Sequence, residues 1–399
     1  MPLVLLAAVL LALVVGPTWA LCRRFPELRG LVPWLLTALV AATILVVLLN
    51  RPYGSGTDEL VYQRQARSVW ASLLLTGRVD SETVILDQGK WGWPTVLGVA
   101  YRVVGTDNPY VGIAINVVIA YLALLLAAAA GCRVWGTRRW TWWMGAPFVL
   151  SPTVLLFSPS LSRETWVWLS VAIAMHGLIY LVEGRRLLGL AVLMSGCLIV
   201  YWIRTPMAAI LLGAAVGAVV LAWIWRRWGT WPTVVSLVVM AVVGQRLIVV
   251  ALTAIGLTPE ALFIARDYLA ESATTGFAPS DPLTPLGLAM SLLRVGVGPF
   301  PWELRPAPVW GWVLVNWAFW IAVVVAAVVA LRRAGLTATR LALLVFAGVI
   351  LVGLALSLTN YGIVVRMRAT VVIALLPLVW GLLAKAPVDE HELSEKVAT

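Results

Sequence analysis

Charge is scarce in this chain. Only 12% of its 399 residues are Asp, Glu, Lys or Arg, against roughly 25% in a soluble domain. With 62% hydrophobic residues and a mean hydropathy of +0.96, that scarcity excludes both a soluble globular protein and a disordered one. Cysteine and histidine are few as well. Cys22, Cys132 and Cys197, with His176 and His391, fall in no CxxC or HxxxH spacing, which argues against a zinc site. The three thiols lie in or beside apolar runs and read as inert core groups. Lysine is nearly missing, since 26 of the 29 basic residues are Arg, a bias that suggests a GC-rich bacterial genome. No internal repeat of fixed period is visible, which counts against an inverted-repeat transporter.

What is abundant is apolar sequence in runs long enough to cross a bilayer as helices. The runs predict an all-α polytopic membrane protein with about eleven spans: 2–20, 31–49, 108–131, 141–157, 165–182, 187–203, 207–225, 231–256, 308–331, 341–358 and 369–384. The first lacks a positive n-region and reads as an uncleaved helix rather than a signal peptide. The net charge of +11 is explained by topology and not by nucleic acid. The short loops around Arg23, Arg133, Arg185, Arg226, Arg332 and the C-terminal tail hold 15 of the 29 positive charges with only 6 acids. That side is expected to be cytoplasmic, which puts the N-terminus outside and the C-terminus inside. The acidic tail 387–399 reads as disordered.

Two long segments, 50–107 and 257–307, then lie outside. Residues 57–76 place Leu60, Ala66, Val69, Trp70, Leu73 and Leu74 on one helical stripe with Gln63, Arg64 and Arg67 off it, a pattern for an interfacial helix. Residues 91–104 predict a second helix too short to span, and 258–272 and 283–296 repeat the motif in the second segment. The 22 Trp cluster at loop edges, as interfacial rings do.

Ionisable groups near these outer ends need a reason to be there. Asp58 and Glu59 open the first surface helix, where acids suit the helix dipole with Thr57 as cap. Arg163 and Glu164 close the turn that starts at Ser158. Arg204 sits at a helix end, where it could simply snorkel. Arg246 lies about fifteen residues into the span 231–256, and a lone Arg at that depth needs an anion, an acid or water. Arg366 and Arg368 follow Asn360-Tyr361-Gly362 at an outer junction, where positive charge is disfavoured topologically, so anion binding is the better reading. Separated carboxylates with several arginines suit a phosphate-bearing substrate beside a hydroxyl that must lose a proton.

From Asp58-Glu59-Leu60-Val61-Tyr62, the two surface helices after it, Lys90-Trp91-Gly92-Trp93-Pro94, Tyr101 through Gly105, Ser151-Pro152 and Glu164, the chain resembles the GT-C superfamily of polytopic glycosyltransferases. The likeness, over roughly residues 31–230, is to the protein mannosyltransferase and lipid A aminoarabinose transferase type. The second half, with Pro299 to Glu303 and Asn360 to Arg368, looks more like uncharacterised membrane proteins associated with bacterial surface-polysaccharide clusters. The resemblance implies a division into an extra N-terminal helix (1–30), a catalytic module (31–230) and a C-terminal membrane module (231–386). It implies a multi-pass enzyme of the bacterial inner membrane, active on its extracytoplasmic face. Its partners would be a polyprenyl-phosphate sugar donor, a glycan or lipid acceptor and membrane lipids. Asp58 would be the general base, Glu164 its assistant, and Arg163, Arg204, Arg246, Arg366 and Arg368 would hold the phosphate. Glu59, Tyr62, Lys90, Trp91, Asn360 and Tyr361 would position substrate, and transfer would invert the anomeric centre. No cofactor is required; a pyrophosphate donor would favour Mg or Mn on Asp58 and Glu164. A polysaccharide polymerase or ligase, or a non-enzymatic lipid-linked sugar flippase, would be the competing classes.

Overall fold

The computed structural model describes residues 2–49, 57–77, 92–136, 147, 151–237, 239, 284–300, 310–358 and 360–383. Every described element is an α-helix: α1 (Pro2–Arg24), α2 (Leu28–Leu48), α3 (Thr57–Thr76), α4 (Gly92–Val104), α5 (Pro109–Trp135), α6 (Pro152–Phe157), α7 (Glu164–Val182), α8 (Arg186–Ile203), α9 (Thr205–Trp228), α10 (Pro285–Val297), α11 (Trp310–Ala334), α12 (Ala338–Ser357) and α13 (Tyr361–Leu383). Among the described residues, nine helices are long and apolar enough to cross a membrane: α1, α2, α5, α7, α8, α9, α11, α12 and α13. The chain is thus a multi-pass membrane protein. The predicted spans 141–157 and 231–256 lie mostly outside the described residues, which hold only 147 and 151–157 of the first and the helical residues 231–237 and 239 of the second. The surface helix predicted over 258–272 and the acidic tail also lie outside them.

Helix boundaries follow local chemistry. Asn108, Ser151 and Thr284 each precede a proline at the first helical position and accept a backbone N–H with the side chain, the pairing that starts a helix most cheaply. The bundle centre is α5, α7 and α13. The α5 core face is built from Ala123, Ala127, Ala128, Ala129 and Ala130, all fully buried. Within lipid there is little hydrophobic force between helices, so close backbone approach supplies the attraction. A Cβ on Gly196 of α8 would come within 2.7 Å of the Ser170 carbonyl of α7, so this contact requires glycine. α12 packs on α9 and α13, and α13 on α5, so the two membrane modules share one continuous core.

Two sequence expectations are revised. The last helix begins at Tyr361 and not at 369, so Arg366 and Arg368 lie on its second turn instead of in a loop. The buried face of α3 carries Glu59, Tyr62, Gln63, Ala66, Val69 and Ser72, while Leu60 and Leu74 are exposed. The apolar stripe is therefore packed in part: Ala66 and Val69 are buried and Trp70 and Leu73 half-buried, and the buried face extends past it to Glu59, Tyr62, Gln63 and Ser72. α3 meets α4 through Ala66 and Val69, which a Cβ on Gly98 would strike, and its first turn carries Glu59 to within 4.0 Å of Arg366.

Candidate functional site

The site is built around the turn from Ser158 to Arg163. Asn116, fully buried on α5, donates from Nδ2 to the carbonyls of Ser160 (2.6 Å) and Ser162 (2.7 Å), and accepts from the Thr165 hydroxyl (3.0 Å). Trp93 Nε1 of α4 donates to the Leu161 carbonyl at 2.7 Å. Its ring sits 5.9 Å from that of Trp166. Gly112 leaves room for Leu161, since a Cβ there would collide with the Leu161 and Leu97 side chains. Backbone carbonyls that a buried turn would otherwise strand are thereby satisfied. The result is a rigid platform that presents Arg163 and Glu164 at the head of α7.

Three other elements bring charge to the same place. α13 contributes Arg366, whose Nη1 lies 3.5 Å from Asp58 Oδ2 and 4.0 Å from Glu59 Oε1. Its guanidinium also stands over the Phe157 ring at 5.3 Å. The one-residue link between α8 and α9 contributes Arg204, which donates to Met367 Sδ at 3.1 Å. Arg163 lies over the Tyr62 ring at 5.7 Å and reaches the Ile203 carbonyl with Nη1 at 3.4 Å. Glu164 is buried and feels the charges of Arg366, Arg204 and Arg163 together. Asp58, Glu59, Tyr62, Arg163, Glu164, Arg204 and Arg366 thus form one cluster from four separate stretches of chain.

Its electrostatics are uneven. Asp58 is 54% exposed at the side chain and Glu59 only 1%. Neither Glu59 oxygen has a hydrogen bond, nor has Glu164 Oε2. Burial pushes the Glu59 carboxyl up to about 7, against the pull of Arg366. Burial likewise raises the Tyr62 hydroxyl. It lowers Arg204 to about 10, helped by Arg163 and opposed by Glu164, so Arg204 stays cationic at neutral pH. Unpaired buried carboxylate oxygens cost about 1–3 kcal/mol each, and the arginines offset that through space.

Other predicted site residues are placed elsewhere. Arg368 is 2% exposed and is taken up by structure: Nε donates to the Val295 carbonyl at 2.9 Å and Nη2 to that of Gly298. It ties the end of α10 to α13 and does not point at the cluster's acids. Asn360 accepts the Gly362 N–H at 2.8 Å and so starts α13, while Tyr361 is buried beside Gly298. Lys90, Trp91 and Arg246 lie outside the described residues. Among the described residues no group of three Asp, Glu, His or Cys side chains is arranged to hold a metal ion. The sequence reading gave no role to Asn116 or Phe157, and named Trp93 only within the motif of the resemblance. Asn116 carried a signal, as a lone amide inside an apolar span.

Comparison with protein-family descriptions, curated proteins and solved structures finds no match to this chain.

Proposed function

We propose that the protein is an integral-membrane glycosyltransferase that moves a sugar from a polyprenyl-phosphate donor to a hydroxyl of a cell-envelope glycan or lipid on the extracytoplasmic face. One observation carries the reading: three carboxylates (Asp58, Glu59, Glu164) and three arginines (Arg163, Arg204, Arg366) converge at the end of the bundle opposite the arginine-rich loops. Asp58, the exposed carboxylate, accepts the proton of the acceptor hydroxyl. The acceptor oxygen forms a bond to the anomeric carbon from the face opposite the phosphate. The bond from that carbon to the phosphate oxygen breaks, the configuration inverts, and polyprenyl phosphate departs with the bonding pair. The guanidiniums stabilise the charge that grows on the leaving phosphate, without proton loss of their own. Glu164 orients those guanidiniums, and Arg368 positions α13 through its grip on α10. The interfacial helix α3, with Leu60 and Leu75 exposed, suits a substrate that arrives from the bilayer.

The test is transfer of radiolabelled sugar from polyprenyl-phosphate donors in membranes that contain wild type or Asp58→Asn. Label entering a glycan or lipid product only with wild type is the expected outcome. No transfer, with label instead changing the leaflet from which it is accessible, would make the protein a lipid-linked sugar transporter.

A further inference from the structure

The opposite half of the bundle carries a groove that the proposed reaction does not use. It opens between α11, α12 and α13 with a volume of about 490 Å³. Val324, Val328 and Leu331 form its α11 wall at four- and three-residue spacing, Leu344 and Gly348 its α12 wall, and Leu375 its back. Val328 and Leu344 are exposed along its length. A Cβ on Gly348 would meet no atom within 4 Å, so the space continues up to the α12 backbone. The groove runs from near the middle of α11 to its last turn.

At that last turn the lining changes character. Arg332 is the single charged residue of the groove wall, and no acidic side chain among the described residues forms an ion pair with it. Its neighbour Arg340 is engaged quite differently. Arg340 Nη1 donates to the carbonyls of Ala334 (2.8 Å) and Gly335 (2.9 Å), and its guanidinium lies 3.9 Å from the centre of the Trp135 ring. Of the three arginines at this corner, Arg340 serves the helix end, and Arg332, without an ion pair among the described residues, is the one that lines the apolar slot. The complement of a slot with a cation at its mouth is an amphiphile with one anionic end.

We propose that this groove is a binding site for an anionic phospholipid, with one acyl chain between α11, α12 and α13 and the phosphate on the Arg332 guanidinium. Charge selects the occupant. A zwitterionic lipid fills the slot equally well but gains less from Arg332.

The full chain in detergent, titrated with phosphatidylglycerol or with phosphatidylcholine of the same acyl chains and read by native mass spectrometry, tests this. Wild type is expected to retain one phosphatidylglycerol about fivefold more tightly than phosphatidylcholine. Arg332→Gln should equalise the two. Gly348→Phe should remove the retained molecule of either lipid, with elution volume and unfolding temperature unchanged. Should Gly348→Phe fail to fold, Leu344→Trp obstructs the same groove from an exposed position and gives the same readout. Equal retention of both lipids by wild type, or undiminished retention when the groove is filled, overturns the proposal. So does loss of polyprenyl phosphate in place of phosphatidylglycerol, which would assign the groove to a carrier tail. A dimer that dissociates on filling would assign it to a second copy and overturn the proposal too.

Discussion

The two ends of the bundle use arginine in opposite ways. At the end with the short basic loops, arginines are spent on structure. Arg133 makes a two-pronged ion pair with Glu183 and covers the Tyr180 ring at 4.2 Å. Arg226 Nη1 donates to the Val182 carbonyl at 2.5 Å, and Arg340 closes the α11–α12 corner. Each meets a helix C-terminus, where cations are favoured. At the other end, Arg163, Arg204 and Arg366 act on Glu164 and Glu59, of whose four carboxylate oxygens three are buried without a hydrogen bond. At the structural end the carboxylate of Glu183 is fully engaged; the far cluster leaves both Glu59 oxygens and Glu164 Oε2 without a hydrogen bond, as a site that completes itself on a ligand does.

The sharpest way to break that contrast is Asp58→Asn. Removal of a general base costs about 10²–10⁴-fold in rate, so label transfer should fall by that much while elution and helicity stay as in wild type. Equal transfer would remove Asp58 from the chemistry. Arg366→Ala comes next, because Arg366 is the guanidinium shared by Asp58 and Glu59. Loss of one partner from a buried charge pair is worth about 2–5 kcal/mol, so binding of a polyprenyl-phosphate sugar should weaken by at least about thirtyfold. Unaltered donor affinity would show that the phosphate is held elsewhere.

Glu59 offers a pH readout that needs no substrate. Its folded carboxyl is raised from 4.5 to about 7 by burial, so the folded state holds a proton that the unfolded chain has released. The stabilisation is complete below about pH 4.5 and is lost as pH rises through 7. The amplitude is on the order of 3 kcal/mol. Unfolding temperature in detergent should therefore fall across that window, and Glu59→Gln should flatten the fall. A slope that survives in Glu59→Gln would belong to another group.

The fold and the site were legible to different depths. Run length alone gave the membrane class and most helix bounds, since a span needs a fixed count of apolar residues. The outer acids and arginines stood out because charge near hydrocarbon needs a reason. What linear order hid was pairing: Arg366 and Asp58 are 308 positions apart, and nothing local says that they meet. The packed face of α3 was legible in part. Apolar periodicity marks where a helix avoids water, and in a bilayer both lipid and protein satisfy that requirement, so the stripe held the packed Ala66 and Val69 together with Leu60 and Leu74, which stay exposed. Arg366 and Arg368 both read as anion-binding residues, yet two residues along a helix turn side chains about 200° apart, which sends one to the carboxylates and the other to the carbonyls of Val295 and Gly298.

The smallest effect is predicted at the structural end. Glu183→Gln removes one charge of the pair with Arg133, whose side chains are 11% (Arg133) and 32% (Glu183) exposed. Partly exposed pairs contribute about 1 kcal/mol or less, and Gln can still accept a hydrogen bond from Arg133. Unfolding temperature should drop by a few degrees at most, with transfer rate and donor affinity unchanged. If transfer fell with Glu183→Gln as steeply as with Asp58→Asn, the two ends would be coupled through α7, which has Glu164 at its head and is followed directly by Glu183, and the division of labour between buried unsatisfied charge and exposed satisfied charge would fail.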